Sequence, residues 1–311
     1  MKNNKDEKIR ISIINGFLGS GKTTLLTHYI SELLKNDEKI KIIMNEFGTF
    51  DIDSNSISNE IEVHSLINGC VCCDLKQELV YELKAIALKG DVNHVIIEAT
   101  GIAHPLELLV ACQDPQIVNF FEKPIIYGVL DATRFLERHQ YTENTVSLME
   151  DQLKLSDMII INKIDLITDD SLEKIDKIDK QLGMICASIP TYKTTYGKVS
   201  LEELDLTVKD REISSHHHHH HGIKSMTYTF TGPIDRHLFY QFIMKLPESV
   251  LRLKGYVSFR DQPNAIYEFQ YAYGLPDYGI IGMQLPLTIV IIGETLDTNH
   301  IRNQLDMLQF T

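Results

Sequence analysis

The sequence predicts an α/β protein: a phosphate-loop NTPase core on a mostly parallel sheet, followed by a smaller α+β C-terminal domain. Three observations carry this. Short apolar runs rich in β-branched residues alternate with helix-period segments through roughly the first two thirds of the chain. A glycine-rich turn, INGFLGSGKTT, joins the first such run to the first helical stripe. Around residue 206 the alternation stops, and a polar, histidine-rich stretch leads into a strand-rich final segment.

The elements follow in order. IRISII is a buried strand ending at Asn15-Gly16, and Leu25, Leu26, Tyr29, Ile30, Leu33 and Leu34 form one apolar helical stripe behind it. KIKIIMN reads as the next strand, Ile61 to Ile67 as another, and Leu75 to Leu88 as a helix with Leu79, Leu83 and Ile86 inward. VIIEATG, IIYGVLDA and MIIINKID are three further buried strands, each ending in polar residues, where ligands of parallel sheets collect. The reading assigns 1–205 to the parallel-sheet core domain, 206–225 to a His-rich linker and 226–311 to the C-terminal domain. That last domain takes strands at MTYTF, RLKGYVSF, AIYEFQYA and LPLTIVIIG, with helices near 233–246 and 298–309.

The 311 residues allow a substantial core and two domains. With 43 acidic against 30 basic residues the net charge is −13, which argues against nucleic acid as a partner but permits a small anion in a local pocket. MKNNKDEKIR is not of signal type, and no stretch reaches the ~20 apolar residues of a membrane span. A cytoplasmic protein with no membrane partner is expected, and its cysteines are then ligands or reactive thiols rather than a disulfide framework.

Gly16, Gly19, Gly21, Lys22 and Thr23 fill the G-x-x-x-x-G-K-T spacing. The glycines let backbone N–H groups approach phosphate oxygens, and the helix N-terminus adds positive potential. Lys22 is expected at the β and γ phosphates and Thr23 at Mg²⁺, with Ser20 and Thr24 completing the loop. MIIINKID places Asn162, Lys163 and Asp165 after a strand. Asp165 can accept the two adjacent donors of guanine, which adenine lacks; Asn162 suits the other base edge, and the Lys163 stem its face. In VIIEATG, Glu98 ends a strand as a candidate Mg²⁺ ligand and Gly101 offers its amide to the γ-phosphate; capping of a helix over Ala103–Leu109 is the alternative for Glu98. Lys22, Thr23 and Glu98 are thus the candidate catalytic groups. Arg134 follows another strand end, but nothing in the sequence aims it at phosphate, so slow intrinsic hydrolysis is expected.

Three of the five cysteines, Cys70, Cys72 and Cys73, fall within four positions. Thiolates bind Zn²⁺ and other borderline or soft ions, and a C-x-C-C run offers two or three sulfurs but not four. An open position suits a site that hands its ion on. Glu46 is a candidate further ligand, or serves Mg²⁺ or the γ-phosphate. A redox pair or buried packing are the alternatives for the thiols; Cys112 and Cys186 read as packing residues. The run His216, His217, His218, His219, His220 and His221 is a candidate metal-collecting tract, or else a solvated spacer.

GFLGSGKTT, NEFG, GCVCC, EATG and NKID, in that order, closely resemble the CobW-like family of GTP-dependent metallochaperones, and RLKGYV with the histidine tract resembles that family's second domain and linker. The resemblance covers nearly the whole chain. It implies a GTPase core, GTP and Mg²⁺ as cofactors, Gly16 to Thr24 on phosphate, Asn162 to Asp165 on the base, and a cargo ion at Cys70, Cys72 and Cys73. Zinc is the commonest cargo proposed for the family, with cobalt, iron or nickel as alternatives. It further implies transfer to a client apo-metalloprotein, and leaves a homodimer open. A branch serving methionine aminopeptidase carries an N-terminal cysteine-proline docking segment, which MKNNKDEKIR lacks, so the client stays open. The rival reading is a nucleotide-switched metal or redox sensor that regulates a partner without delivery.

Overall fold

Strand β1 (Arg10–Asn15) is central, and everything in the nucleotide-binding unit is arranged on either side of it. The computed structural model describes residues 8–44, 61–65, 72–168, 171–187, 189–204, 223–272 and 274–310. Glu46, Cys70 and residues 216–221 lie outside these, as does most of the stretch read as a linker. Two compact units are present. The first holds the described residues up to Ala111 and those from Phe120 to 204; the second holds Cys112–Asn119 and the described residues from 223 on.

In the first unit β2 (Ile40–Met44), β3 (Ile61–Ser65), β4 (His94–Glu98), β5 (Ile125–Asp131), β6 (Met158–Asn162) and β7 (Thr191–Lys193) join β1 in one sheet. The order is β3-β2-β4-β1-β5-β6-β7, and every pairing is parallel. The reason is visible in β6, MIIIN. Met158 and Ile160 pack with helix α1 (Lys22–Leu34), while Ile159 and Ile161 pack with α6 (Ser171–Cys186) on the opposite face. Successive side chains point to opposite faces, so a strand covered on both sides must be apolar throughout. Burial of each isoleucine stabilises by about 1.5–3 kcal/mol.

The remaining helices are α2 (Cys72–Lys89), α3 (Pro105–Cys112), α4 (Ala132–Leu136) and α5 (Glu143–Lys154). Helix α2 buries Leu79, Leu83 and Ile86 as its periodicity predicts, and Lys41 of β2, almost wholly buried, pairs with its Glu82 at 3.2 Å. The helix after Glu98 begins at Pro105, not at Ala103, with the missing proline N–H at a position that needs none. Neither α5, α6 nor β7 was expected from the sequence.

The second unit is antiparallel: β8 (Ile223–Thr229), β9 (Val250–Phe259), β10 (Gln262–Ala272), β11 (Leu275–Ile281) and β12 (Thr288–Glu294), in the order β11-β10-β9-β12-β8. Helices α7 (Arg236–Met244) and α8 (Thr298–Phe310) pack Phe239, Phe242, Ile301 and Leu305 against Phe259, Phe269 and Ile289. Strand β8 starts at Ile223, so 223–225 are strand rather than linker: Ser225 and Lys224 pair with Ile292 and Gly293. RLKGYV lies in β9. There Lys254 donates to buried Asp114 at 2.7 Å, and a Cβ on Gly255 would press against Ile289 of β12.

Candidate functional site

The phosphate loop runs from Gly16 to Gly21, and its carbonyl groups can be followed one by one. Gly16 O accepts from Lys22 Nζ at 3.1 Å, and Phe17 O from the same amine at 3.4 Å and from Ser20 N at 3.2 Å. Leu18 O accepts from Arg134 Nη1, and Gly19 O from Lys163 Nζ at 2.6 Å. Ser20 O accepts from Asn162 Nδ2 at 3.0 Å, and Gly21 O from Leu25 N at 2.9 Å. With the carbonyls held by these donors, the loop presents backbone N–H groups as its remaining polar face, which is the chemistry an anion requires.

Gly21 is the N-cap of α1 with φ of 100°, and no side chain caps the helix there. A Cβ at Gly21 would collide with the Asn162 amide, so both the backbone angle and the close approach demand glycine. The first-turn amides add partial positive charge beside Lys22. Thr24 lies in that first turn, exposed; Ser20 is buried, its hydroxyl without a partner among the described residues.

Thr23 Oγ1 donates to Glu98 Oε1 at 2.7 Å. Glu98 ends β4, beside β1, and meets the start of α1. Two hard oxygen groups at one point, next to a phosphate-binding turn, are a donor set that fits Mg²⁺. Gly101 lies against Leu18 of the phosphate loop, and buried Gln152 of α5 holds its loop by donating to Gly101 O at 3.3 Å and Ala103 O at 3.1 Å.

On the base side Asn162 bridges two segments: its Oδ1 accepts from Gly197 N at 3.0 Å while Nδ2 holds Ser20. The Tyr196–Gly197 turn, both residues with positive φ, was missed in the sequence because it carries no motif; it becomes part of the site only through Asn162. Asp165 stands exposed in a short turn over Ile164–Leu166. Lys163 also pairs at 2.7 Å with Asp131, the last residue of β5. Burial works to raise the Asp131 carboxyl, but hydrogen bonds from Lys163, Thr133 and the Arg134 amide outweigh it and hold it below the usual carboxylate range. Asp131, like the Tyr196–Gly197 turn, was left out by sequence reasoning, which placed Arg134 after a strand end but gave it no target.

Cys72 and Cys73 open α2, the element that follows β3 in the chain. Among the described residues no three His, Cys, Asp or Glu side chains gather as a metal site. Burial raises the Cys112 thiol, and Cys186 is pushed up to about 11, both consistent with neutral packing residues. No helix among the described residues is long and apolar enough to cross a membrane.

Fold and site together define a phosphate-loop nucleotide-binding protein of the GTPase fold. Residues 10–193 match the CobW/HypB/UreG nucleotide-binding domain and residues 223–309 the CobW C-terminal domain. The chain belongs to the CobW/HypB/UreG family. It is 28% identical over 212 residues to the zinc-regulated GTPase metalloprotein activator 1 of Dictyostelium discoideum, covering 57% of this chain and 44% of that protein. It is 29% identical over 228 residues to the zinc chaperone CobW of Pseudomonas aeruginosa, covering 63% and 59%. Against the zinc chaperone YjiA of Escherichia coli it is 26% identical over 287 residues, covering 83% and 84%. The crystal structure of Zn(II)-bound YjiA GTPase superposes with a TM-score of 0.50 at 22% identity, over 97% of this chain and 99% of that one, which shows a shared fold. The chain thus spans about half the length of the first two relatives and most of the third.

Proposed function

We propose that this protein is a GTP-hydrolysing metallochaperone that holds a transition metal, zinc in the first instance, at Cys70, Cys72 and Cys73 and passes it to a client metalloprotein. The observation that carries the reading is one row of the sheet. Ser65, the last residue of β3, pairs with Met44 of β2, and Met44 pairs with Glu98 of β4. Strands lie about 5 Å apart, so the chain enters the thiol segment about 10 Å from the Thr23–Glu98 pair. Glu46 follows two residues after Met44 in the chain. Strand ends this close to the triphosphate site can feel its occupant.

The steps follow from that placement. Lys22 and the loop amides bind the phosphates, and Asn162, Lys163 and Asp165 select guanine. Thr23 and Glu98 would hold Mg²⁺, which would supply charge neutralisation on the phosphates. Bound GTP orders the segments bearing Glu46 and the thiols and raises metal affinity; hydrolysis removes the γ-phosphate contact and lowers it. The names of the relatives support zinc as the ion and a protein as its recipient. Coupling of the usual size, ~1–3 kcal/mol, makes zinc affinity roughly 5–150-fold higher with GTP than with GDP. Competition titration against a chromophoric zinc chelator, with a non-hydrolysable GTP analogue and with GDP, reads this ratio directly. Equal affinities in the two states would end the relay mechanism. A GTP-dependent ratio without zinc transfer to an apo-enzyme favours the sensor instead.

A further inference from the structure

Two of the cations on the phosphate loop, Lys163 and Arg134, share one anchor. Asp131, 6% exposed, spends Oδ1 on the start of α4, accepting from Thr133 N at 3.0 Å, Thr133 Oγ1 at 2.7 Å and Arg134 N at 3.2 Å. Its Oδ2 faces Lys163 Nζ at 2.7 Å and Arg134 Nε at 3.8 Å. Those two cations reach neighbouring carbonyls, Gly19 O and Leu18 O. The Arg134 guanidinium also lies over Gly19: a Cβ there would come within 3.0 Å of Nη1 and 3.1 Å of Nη2. Asp131 and Arg134 line one narrow cleft together with Gly16, Leu18, Met149 and Gln152, so the loop meets this anchored pair along the cleft wall.

In a trans peptide the C=O and the following N–H point in opposite directions. Holding Leu18 O against Arg134 therefore turns the Gly19 N–H the other way, away from the guanidinium and free to meet a bound phosphate. A carbonyl bonded to a cation also polarises its own peptide, which strengthens that N–H as a donor. Such a donor acts most on an oxygen whose negative charge is growing, as phosphate oxygens do during transfer.

We propose that Arg134, fixed by Asp131, is a positioning residue for GTP hydrolysis: it orients and polarises the Leu18–Gly19 peptide of the phosphate loop for the triphosphate. The inference rests on the GTPase reading above and assigns to Arg134 a task that runs through the backbone. It acts without touching the reacting atoms. Arg134 is 41% exposed on its side chain, so its loss leaves no large cavity in the fold.

The experiment uses the full chain as wild type, Arg134→Met and Arg134→Lys. Steady-state hydrolysis of GTP, equilibrium binding of GDP and of a non-hydrolysable GTP analogue, and thermal midpoints without nucleotide are measured for each. Arg134→Met is expected to lower kcat/KM about tenfold, mostly in kcat, the size of one charge-assisted hydrogen bond near a surface. Its preference for the triphosphate analogue over GDP falls in the same sense, while its thermal midpoint matches wild type. Arg134→Lys, which returns a cation to the same carbonyl, recovers most of the loss. Unchanged kcat in Arg134→Met overturns the proposal, as does an equal loss in both variants accompanied by a lower midpoint. Wild type that binds GTP without hydrolysing it defeats the GTPase reading alone, and the triphosphate-over-diphosphate preference then decides the role of Arg134. Wild type that binds no nucleotide overturns both.

Discussion

Acidification is the perturbation whose effect on this fold can be worked out most fully, and it acts through His94. The imidazole is 2% exposed in β4, with Nε2 2.8 Å from Ser12 Oγ of β1 and the Tyr29 ring edge-on at 6.0 Å. Nδ1 has no partner among the described residues. Burial, with a smaller contribution from the Arg10 charge, lowers its pKa from 6.5 to about 3. The folded protein thus keeps His94 neutral where the unfolded chain protonates it. The unfolded state binds the extra proton as pH falls, so the stability contribution is whole above pH 6.5 and is lost on the way down toward pH 3. Each pH unit below 6.5 costs about 1.4 kcal/mol, which gives about 2 kcal/mol between pH 7.5 and pH 5. Urea unfolding of the nucleotide-free protein at these two pH values, for wild type and His94→Gln, isolates the effect, since carboxylates contribute equally to both. The variant should show a fall smaller than wild type by about 2 kcal/mol. Parallel curves, differing by less than about 0.5 kcal/mol in slope between the two pH values, would refute the assignment of a buried neutral imidazole.

Asn162→Ala strips partners from Ser20 O and Gly197 N together, and two orphaned buried groups predict a loss of about 2–4 kcal/mol in urea unfolding, along with weakened GTP binding. Asp165→Asn, at an exposed position, should leave stability within about 0.5 kcal/mol yet erase the preference for GTP over inosine triphosphate, which lacks the exocyclic amine; competition binding of the two nucleotides tests this. Ile160→Ala, at a residue with no exposed surface between α1 and its sheet neighbours, should cost about 2–5 kcal/mol and lower the thermal midpoint of the nucleotide-binding unit.

Particular residues show why some of this was legible in the sequence. The phosphate loop, Glu98 at the end of β4 and the NKID segment are each contiguous in the chain, and each follows a strand whose isoleucines announce burial on both faces. Strand β11, LPDYGII, escaped notice because it holds a proline and a glycine, is exposed for most of its length, and exists through pairing with β10. Helix α5 was missed because its surface is largely polar and its buried face is narrow.

What the sequence by itself determined is therefore the set of short-range devices: glycines where a backbone must turn, a lysine and a threonine at a helix start, a carboxylate and an amide after buried strands. These need only neighbours along the chain, so their spacing suffices. What only the tertiary structure decided is which distant groups hold those devices in shape. Arg134 reaches Leu18 across 116 positions, Lys163 reaches Gly19 across 144, and Gln152 reaches Gly101 across 51. Parallel strands bring their carboxyl ends to one edge regardless of separation in sequence, and hydrogen bonds form between whatever side chains arrive there.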